Sequence, residues 1–368
     1  MPYAHNTGWG MSVPDKVLTN NDLSKVVDTN DAWIRERTGI RERRIAREGQ
    51  YPSTLGAEAS LKALDMAGLS PRQLDLIICA TSTPEHIFPA TACLIQDAIG
   101  ADNAGAFDLL AACSGFIYAV NMATQAIRSG AIKSALVIGT ETLSRFVNWK
   151  DRNTCILFGD GSGAFVLQAS DEPGGVNSAV MHSDGSGGDL LTLPAGGARH
   201  PASDFTVHTG MHYISMDGKE VYRFATKVMV QATKEALDLA GMQKEEIDLV
   251  IPHQANIRII EAAARGLRLP MDKFMVNLDK YGNTSTASIP MATVEAAEQG
   301  KLKRGDKIVM VGFGAGLTWG AAVITWTGPL PMERKPNLKR EKTFARFRSF
   351  VRRAVRRVEG FLNPKELD

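Results

Sequence analysis

The sequence predicts an α/β fold built from two duplicated halves, and three observations support this. Residues 63–69 (ALDMAGL) recur 173 positions later as residues 236–242 (ALDLAGM). In both copies the segment has the character of an amphipathic helix that ends at a glycine, and a short apolar run follows it. With 368 residues, of which 44% are hydrophobic, the chain is long enough for two such units around a large core.

The elements follow in the same order in each half. After the first helix come the apolar residues 75–80, which we predict as a buried strand, and residues 248–252 are their counterpart. A helical stretch at 117–127 leads to a second strand at 135–139, and residues 307–312 match that strand at the same offset. Such alternation gives sheets covered by helices. The predicted divisions are residues 1–171, residues 172–328 and an extension at 329–368.

Composition argues against several classes of protein. The four cysteines, Cys79, Cys93, Cys113 and Cys155, show no C-x-x-C pairing and no metal-ligand spacing with histidines, so we expect free thiols and no metal site. Neither a signal peptide nor an apolar run of about 18 residues is found, which predicts a cytoplasmic protein. No aromatic pattern suited to stacking bases accompanies the basic residues, so no nucleic-acid partner is expected.

Cys113 is the most informative residue. It lies in the run DLLAACSGF at 108–116, just before the helical stretch. A thiol at a helix N-terminus is close to backbone N–H groups and to the positive end of the helix dipole, which favour the thiolate. We therefore expect a lowered pKa for the Cys113 thiol and a nucleophile near neutral pH. A buried structural cysteine is the alternative, because free cysteines are often buried.

Two polar residues of the second half have comparable positions. His253 follows the apolar run at 248–252, and Asn283 follows a strand-like run at 274–278. Sites in α/β folds form where strands give way to loops. Because two related halves pack about a pseudo-twofold axis, we expect these loops to converge with Cys113 on a site between the halves. The alternative is a duplicated scaffold whose site lies elsewhere.

Several motifs in order resemble the condensing enzymes of the thiolase superfamily. They are ACSGF at 112–116, HQAN at 253–256, GNTS at 282–285 and GFGAGLTWG at 312–320. The nearest family is β-ketoacyl-acyl carrier protein synthase III, and WIRERTG at 33–39, DRNT at 151–154 and FGDGSG at 158–163 extend the match over residues 1 to about 326. The resemblance implies a thiolase-like five-layered αβαβα fold and a homodimer.

The resemblance also implies an activity, the decarboxylating Claisen condensation of an acyl-CoA primer with malonyl-acyl carrier protein, in fatty acid or related polyketide or quinolone-type biosynthesis. Cys113 would carry the acyl group, while His253 and Asn283 would donate hydrogen bonds to the enolate. Backbone N–H groups of Cys113 and Ala315 would hold the second oxyanion. Both thioesters are substrates, so no cofactor is implied.

Related chemistries are weighed on the same residues. A biosynthetic thiolase would present a second cysteine near the glycine-rich end, and no cysteine follows Cys155. A hydroxymethylglutaryl synthase would need an acidic residue with Cys113 and His253, and no motif supplies one. Chalcone-type synthases share the Cys-His-Asn set and stay open. Two further alternatives also stay open. One is an acyltransferase that passes the acyl group to another nucleophile without decarboxylation, and the other is a partner subunit with residual activity.

Substrate-binding residues are also implied by the resemblance. The positions that would hold CoA are Trp33 and Arg152 on the adenine, Arg37 and Thr38 beside the nucleotide, and Ala255 and Asn256 along the pantetheine tunnel. Arg258 would dock the acidic carrier protein, with Arg223, Arg265 and Arg268 as weaker candidates. Phe88 would close the acyl pocket across the dimer, which favours acetyl to medium-chain primers. Thr286, Tyr281 and Ala315 depart from the family's common alanine, histidine and glycine, which leaves the primer open.

Residues 329–368 carry 12 Lys/Arg and 5 Asp/Glu, whereas residues 1–328 have a net charge of −5. Apolar residues and arginines alternate there with the period of a basic amphipathic helix over residues 343–362. The apolar positions are Phe344, Phe347, Val351, Ala354, Val355, Val358 and Phe361, and the arginines are Arg346, Arg348, Arg352, Arg353, Arg356 and Arg357. Pro329, Pro331 and Pro336 predict a spacer. The stripe would pack on the enzyme itself, lie on an anionic membrane or recruit an acidic carrier protein.

Overall fold

The computed structural model of the protein describes residues 1–329 and 338–362. The first half contains β1 (Tyr3–Ser12), β2 (Val17–Thr19), α1 (Asn20–Leu23), α2 (Asp31–Thr38), β3 (Glu42–Arg44), α3 (Pro52–Ala67), β4 (Leu76–Ala80), α4 (Thr91–Ile99), β5 (Gly105–Leu109), α5 (Gly115–Arg128), β6 (Ser134–Thr142), α6 (Arg152–Cys155) and β7 (Asp160–Ser170). Its main sheet has the strand order β1-β7-β6-β4-β5, with β4 parallel to both neighbours. Its two edge strands are β1 and β5.

The second half contains β8 (Gly175–Ser183), β9 (Leu191–Thr192), α7 (Asp204–His208), β10 (Ser215–Met216), α8 (Gly218–Ala240), β11 (Leu249–Pro252), α9 (Ile257–Leu267), α10 (Leu278–Tyr281), α11 (Ser288–Glu298), β12 (Lys307–Gly314) and β13 (Thr318–Thr325). Its main sheet has the order β11-β12-β13-β8. A last helix, α12 (Leu338–Leu362), follows. Within the residues described, no helix has the length and apolar character needed to cross a membrane.

The two sheets and their helices form five layers. α3 and α4 cover the outer face of the first sheet, and α8 and α9 cover the outer face of the second. α5 and α11 lie between the sheets, where Ile117 and Ile289 join residues from both sheets in one buried cluster. Burial of this apolar surface from both sides is the main stabilising contribution to the centre of the molecule. The layers confirm the predicted five-layered αβαβα fold.

The duplication is visible in matching local structures. α3 and α8 end at Gly68 and Gly241, which adopt left-handed backbone angles with φ of 65° and 66°. A residue with a Cβ atom is disfavoured there, which explains the glycine in both copies. The carboxylates of Asp75 and Asp248 accept hydrogen bonds from the backbone N–H groups that begin β6 and β12, at 3.0 and 2.7 Å. The repeat therefore preserves the connection between helix and strand.

The predicted strand at residues 274–278 is wrong. Phe274 makes a single parallel bridge with Val250, and the Met275 N–H donates to the Val250 carbonyl at 2.9 Å. The Asn277 N–H then turns to the side chain of Gln254 at 3.0 Å, and α10 begins at the next residue. A side-chain acceptor has replaced the next carbonyl of the sheet, so pairing stops after one bridge.

The helix predicted over residues 343–362 is present as α12, and it packs against α4. Of the three alternatives for its apolar stripe, packing on the enzyme itself does not hold, because Phe347 is 64% exposed and Val355 is 47% exposed. The opposite, polar face makes the contact. The predicted spacer at 330–337 and the side chains of Arg346, Arg357, Val358 and Phe361 lie outside the part of the chain that the structure describes.

Candidate active site

Cys113 lies in a tight turn between β5 and α5. Residues Ala112–Ser114 form a single 3-10 turn, and α5 begins at Gly115, so the predicted place at a helix start is confirmed. Ala112 has φ of 45°, a left-handed conformation that is costly for alanine and typical of functional turns. Gly314 of β12 faces this turn so closely that an added Cβ would be 2.6 Å from the Cys113 nitrogen. Only glycine permits that approach.

His253 follows β11 directly and is 1% exposed. Its Nδ1 atom is 2.7 Å from the Ser288 hydroxyl at the start of α11, and the edge of its ring packs against Phe313 at a centroid distance of 5.3 Å. Burial lowers the pKa of the imidazole to about 3, so the ring is neutral at physiological pH. In the tautomer that carries the hydrogen on Nε2, Nδ1 accepts from the Ser288 hydroxyl and Nε2 is a donor.

Asn283 is held by the strand-like pairing of residues 157–159 with its backbone. Its N–H donates to the Leu157 carbonyl at 2.8 Å, and its carbonyl accepts from Gly159 at 3.0 Å. The side-chain Oδ1 accepts a hydrogen bond from the Ser285 N–H at 2.8 Å. This bond fixes the orientation of the amide, so the Nδ2 group keeps its hydrogens for a ligand.

The structure brings Cys113, His253 and Asn283 to one cavity of about 100 Å³ between the halves, as the duplication predicts. Tyr222 and Asn256 line the same cavity. Cys113 also lines a second, mainly apolar cavity of about 110 Å³, together with Thr83, Leu143, Phe146, Phe158, Leu193, Ile214 and Ala315. The thiol therefore lies where the cavity of His253 and Asn283 meets a second, more apolar cavity, which suits a group that accepts an acyl chain from one side and reacts on the other.

The expected lowering of the Cys113 thiol pKa is wrong for the unliganded protein. The residue is 8% exposed, and burial raises its pKa to about 12, which outweighs the opposing hydrogen bond from Ser285. In the low-dielectric interior a thiolate loses hydration free energy. The stabilisation that it gains from the helix start is smaller than this loss. The group is consequently a thiol at neutral pH, and its proton has to leave during attack on a thioester.

Glu141, at the end of β6, is a residue that the sequence reasoning missed. Its buried carboxyl accepts hydrogen bonds from the Thr83 hydroxyl at 2.6 Å and from the Thr286 hydroxyl at 3.0 Å. The Ser285 hydroxyl interacts with both this carboxyl and the Cys113 thiol. Burial raises the Glu141 pKa. The departure from alanine at Thr286 was the available signal, since a threonine there supplies a hydroxyl to a buried polar group.

The proposed adenine site is partly formed. The Arg152 guanidinium lies over the Trp33 ring at 4.7 Å from its centroid, and Arg37 lies at 5.8 Å. Arg152 also donates to the Asp28 carbonyl at 3.2 Å. A purine between the guanidinium and the indole would need two contacts of about 3.5 Å each. Arg152 therefore has to move outward before a base can stack on Trp33.

Two other predicted CoA residues have structural contacts of their own. Thr38 is 2% exposed, and its hydroxyl donates to Ile34 and accepts from the Ile40 N–H, so it has little to offer a nucleotide in this conformation. Asn256 caps α9 and donates from its amide to the Arg37 carbonyl at 3.0 Å. Because it also lines the cavity of Cys113, its position agrees with a place along a tunnel. Ala255 lines that cavity as well.

The candidate docking arginines differ in their partners. Arg258, in the first turn of α9, is exposed and lies over the ring of Tyr222, a cavity residue, at 5.8 Å. Arg223 and Arg265 pair with carboxylates of their own helices. Arg268 ends α9 in a left-handed conformation. Of the four, Arg258 combines exposure with closeness to the cavity, which agrees with its ranking from the sequence.

Two family profiles match the chain. One, described as 3-oxoacyl-[acyl-carrier-protein (ACP)] synthase III, matches residues 107–185, and the corresponding C-terminal profile matches residues 237–326. These segments contain Cys113, His253 and Asn283. A curated β-ketoacyl-[acyl-carrier-protein] synthase III of Roseiflexus sp. (strain RS-1) is 54% identical over 325 residues, which is 88% of this chain and 99% of the relative.

Further relatives agree. A synthase III of Desulfitobacterium hafniense (strain DCB-2) is 55% identical over 320 residues, 87% of this chain and 97% of its own. The crystal structure of 3-oxoacyl-[acyl-carrier-protein] synthase III from Aquifex aeolicus VF5 superposes with a TM-score of 0.81 at 48% identity, covering 88% of this chain and all of that one. The priming β-ketosynthase of the R1128 polyketide pathway gives 0.82 at 35% identity, over 89% and 97% of the two chains. This chain therefore belongs to the β-ketoacyl-acyl carrier protein synthase III family of thiolase-fold condensing enzymes.

Proposed function

We propose that this chain condenses an acyl-CoA primer with malonyl-acyl carrier protein, with loss of carbon dioxide, to give a β-ketoacyl-acyl carrier protein. The observation that carries the proposal is the position of Cys113 at the meeting point of an apolar cavity and the cavity shared with His253 and Asn283. Membership of the family supports the same reaction in fatty acid or related biosynthesis. In this proposal the acyl-CoA and the malonyl-acyl carrier protein are the two substrates, and no cofactor takes part.

The first step is acyl transfer to Cys113. The sulfur attacks the thioester carbon, the bond to the CoA sulfur breaks, and the proton of the Cys113 thiol ends on the departing CoA thiolate. Because the thiol is protonated at rest, this proton transfer is part of the step. The acyl chain then occupies the apolar cavity beside Leu143 and Phe146.

The second step uses the amide and the imidazole as donors. The carbon–carboxylate bond of the malonyl group breaks, and its electrons move to an enolate oxygen held by the His253 Nε2–H and the Asn283 amide. The enolate carbon attacks the acyl-Cys113 carbonyl, and the sulfur leaves. The backbone N–H groups of Cys113 and Ala315 are the proposed donors for the oxyanion of that attack. Fixed neutral donors suit a charge that appears only during reaction.

Intact-mass spectrometry tests this function. The protein is incubated with a panel of acyl-CoA thioesters and then with malonyl-acyl carrier protein. We expect an added acyl mass that disappears on the second addition, with one carbon dioxide released and a β-ketoacyl carrier protein formed. Transfer of the acyl group to another nucleophile without carbon dioxide would instead support the alternative acyltransferase. Absence of any acyl mass with every primer would contradict both.

A homodimer is part of the proposal, and exposed apolar residues support it. Ile87 and Phe88 are 81% and 84% exposed on the loop before α4, and Leu110 is 77% exposed between β5 and Cys113. A second copy placed against the β5 edge would cover these residues, and the partner's Phe88 could then close the apolar cavity. Acetyl to medium-chain primers are the proposed occupants of the apolar cavity. The predicted cytoplasmic location stays a prediction.

Trp33→Ala tests the proposed adenine site. The indole contacts the nucleotide equally in the ground state and the transition state, so its loss should raise KM for acyl-CoA about tenfold and change kcat little. Steady-state kinetics with acyl-CoA give both constants. The matched control is an acyl thioester of pantetheine, which lacks the nucleotide and should show no difference between variant and wild type. An equal loss with both substrates would mean that Trp33 only supports the fold.

A further inference from the structure

The contact between α12 and the body is made by the polar face of the helix. Ala345 is 3% exposed and lies against Gly100, where an added Cβ would be 2.6 Å from the Ala345 Cβ. Arg348 and Arg352 reach the Asp102 carboxylate at 2.9 and 3.1 Å. These contacts are specific in geometry, and they hold one face of the helix against the end of α4.

A second carboxylate fixes the next turn. Asp97 of α4 accepts a hydrogen bond from the Ser349 hydroxyl at 2.8 Å and pairs with Arg353 at 3.0 Å. The arginine side chains of these pairs are partly exposed, so each pair contributes little stability by itself. Together they determine which way the helix faces.

The apolar face of α12 is consequently turned outward. Phe347 and Phe350 are 64% and 69% exposed, and Val351 and Val355 are 39% and 47% exposed. Residues 347, 351 and 355 follow one another at four-residue intervals and form a single stripe. An amphipathic helix on a globular protein ordinarily buries this stripe. A helix that buries its polar face instead presents a binding surface for something outside the chain.

The charge around the stripe indicates what binds. Residues 342–358 contain seven Lys/Arg and no Asp or Glu. Three of these basic residues, Arg348, Arg352 and Arg353, pair with carboxylates of the body, and Arg356 is exposed. An outward apolar face on a basic helix is the pattern of helices that lie in the interface of an anionic bilayer. We propose that α12 docks the enzyme on an anionic phospholipid surface, with Phe347, Val351 and Val355 entering the acyl boundary and the exposed Arg356 contacting lipid phosphates.

Two protein partners fit the arrangement less well. An acidic carrier protein would need the basic face outward, but Arg348, Arg352 and Arg353 are turned to Asp97 and Asp102. A second copy would need an apolar groove as long as the stripe. In residues 1–329 the exposed large hydrophobic residues occur singly or in close pairs along the sequence, as at 87–88.

Vesicle co-sedimentation of the full-length protein tests the proposal. The vesicles contain phosphatidylglycerol with phosphatidylcholine, or phosphatidylcholine alone, at low and at high salt. We expect the protein to bind the vesicles that contain phosphatidylglycerol. Binding to vesicles of phosphatidylcholine alone should be at least tenfold weaker, and high salt should weaken the binding to the anionic vesicles. Phe347→Ser combined with Val355→Ser should lower the binding at least tenfold. Leu239→Ser, which removes a 65% exposed leucine of α8, is the matched control and should bind like the wild type.

Acylation by acyl-CoA in solution is the control for folding. We expect the α12 variants to be acylated as the wild type is. No binding of the wild type to anionic vesicles would overturn the proposal. So would binding that survives both α12 substitutions, because another surface would then be responsible. A fall in oligomer mass caused by these substitutions, without any lipid binding, would show that the stripe is a protein interface.

Discussion

Cys113→Ala is expected to take up no acyl mass from any acyl-CoA and to lose condensation by on the order of 10³-fold or more, because no other group can form the acyl-enzyme at the junction of the two cavities. Intact-mass spectrometry measures the adduct, and release of β-ketoacyl carrier protein measures the turnover. The expected effect is large because the nucleophile divides a difficult carbon–carbon bond formation into two steps.

The control for this variant is Cys93→Ala. Cys93 is an exposed free cysteine at the start of α4, and its removal should leave the adduct and the turnover unchanged. An adduct that persists in Cys113→Ala would place the nucleophile elsewhere. An adduct lost in both variants would point to a general effect of the substitutions on the fold.

Asn283→Ala should lower the decarboxylation of malonyl-acyl carrier protein by about 10²- to 10³-fold, equivalent to about 2.7–4 kcal/mol of barrier, because one of the two enolate donors is lost. Acylation of Cys113 should survive, since that step does not use the enolate site. Carbon dioxide release and intact mass separate the two steps. Equal losses in both steps would argue that Asn283 only holds the loop.

Asn283→Asp sharpens this test. It keeps an oxygen that accepts from the Ser285 N–H and replaces the donor with a carboxylate, so a donor role predicts a loss at least as large as in the alanine variant. His253→Ala should lose decarboxylation to a similar extent. Since the His253 pKa is about 3, its ring stays neutral from pH 5 to 8, and protonation of this residue should not reduce wild-type decarboxylation in that range.

The sequence allowed the fold and the three central residues to be predicted because both depend on patterns of fixed spacing. The offset of 173 residues places equivalent strands in two sheets, and His253 follows one of them directly. The loop that carries Asn283 was placed correctly although the strand before it does not form. Its position depends on backbone pairing with residues 157–159, which are distant in sequence, and the FGDGSG motif does not by itself indicate that pairing.

Electrostatics were harder to predict than position. The helix start at Cys113 was correct, but the sign of the thiol pKa shift was not, because burial by the second half acts against the helix terminus. Glu141 was missed for a related reason. A glutamate at the end of a strand is usually exposed, and only the surrounding hydroxyls of Thr83, Ser285 and Thr286 show that it is buried and hydrogen-bonded.

Because Cys113 belongs to one half and His253 and Asn283 belong to the other, turnover requires that the two halves have assembled. A newly made chain that has folded only its first half holds the thiol but neither donor, and an isolated second half holds the donors without the thiol. The contact between Gly314 and the turn of Cys113 has to form before condensation can consume either thioester. Loss of the packing between the two halves during mild denaturation should therefore abolish turnover.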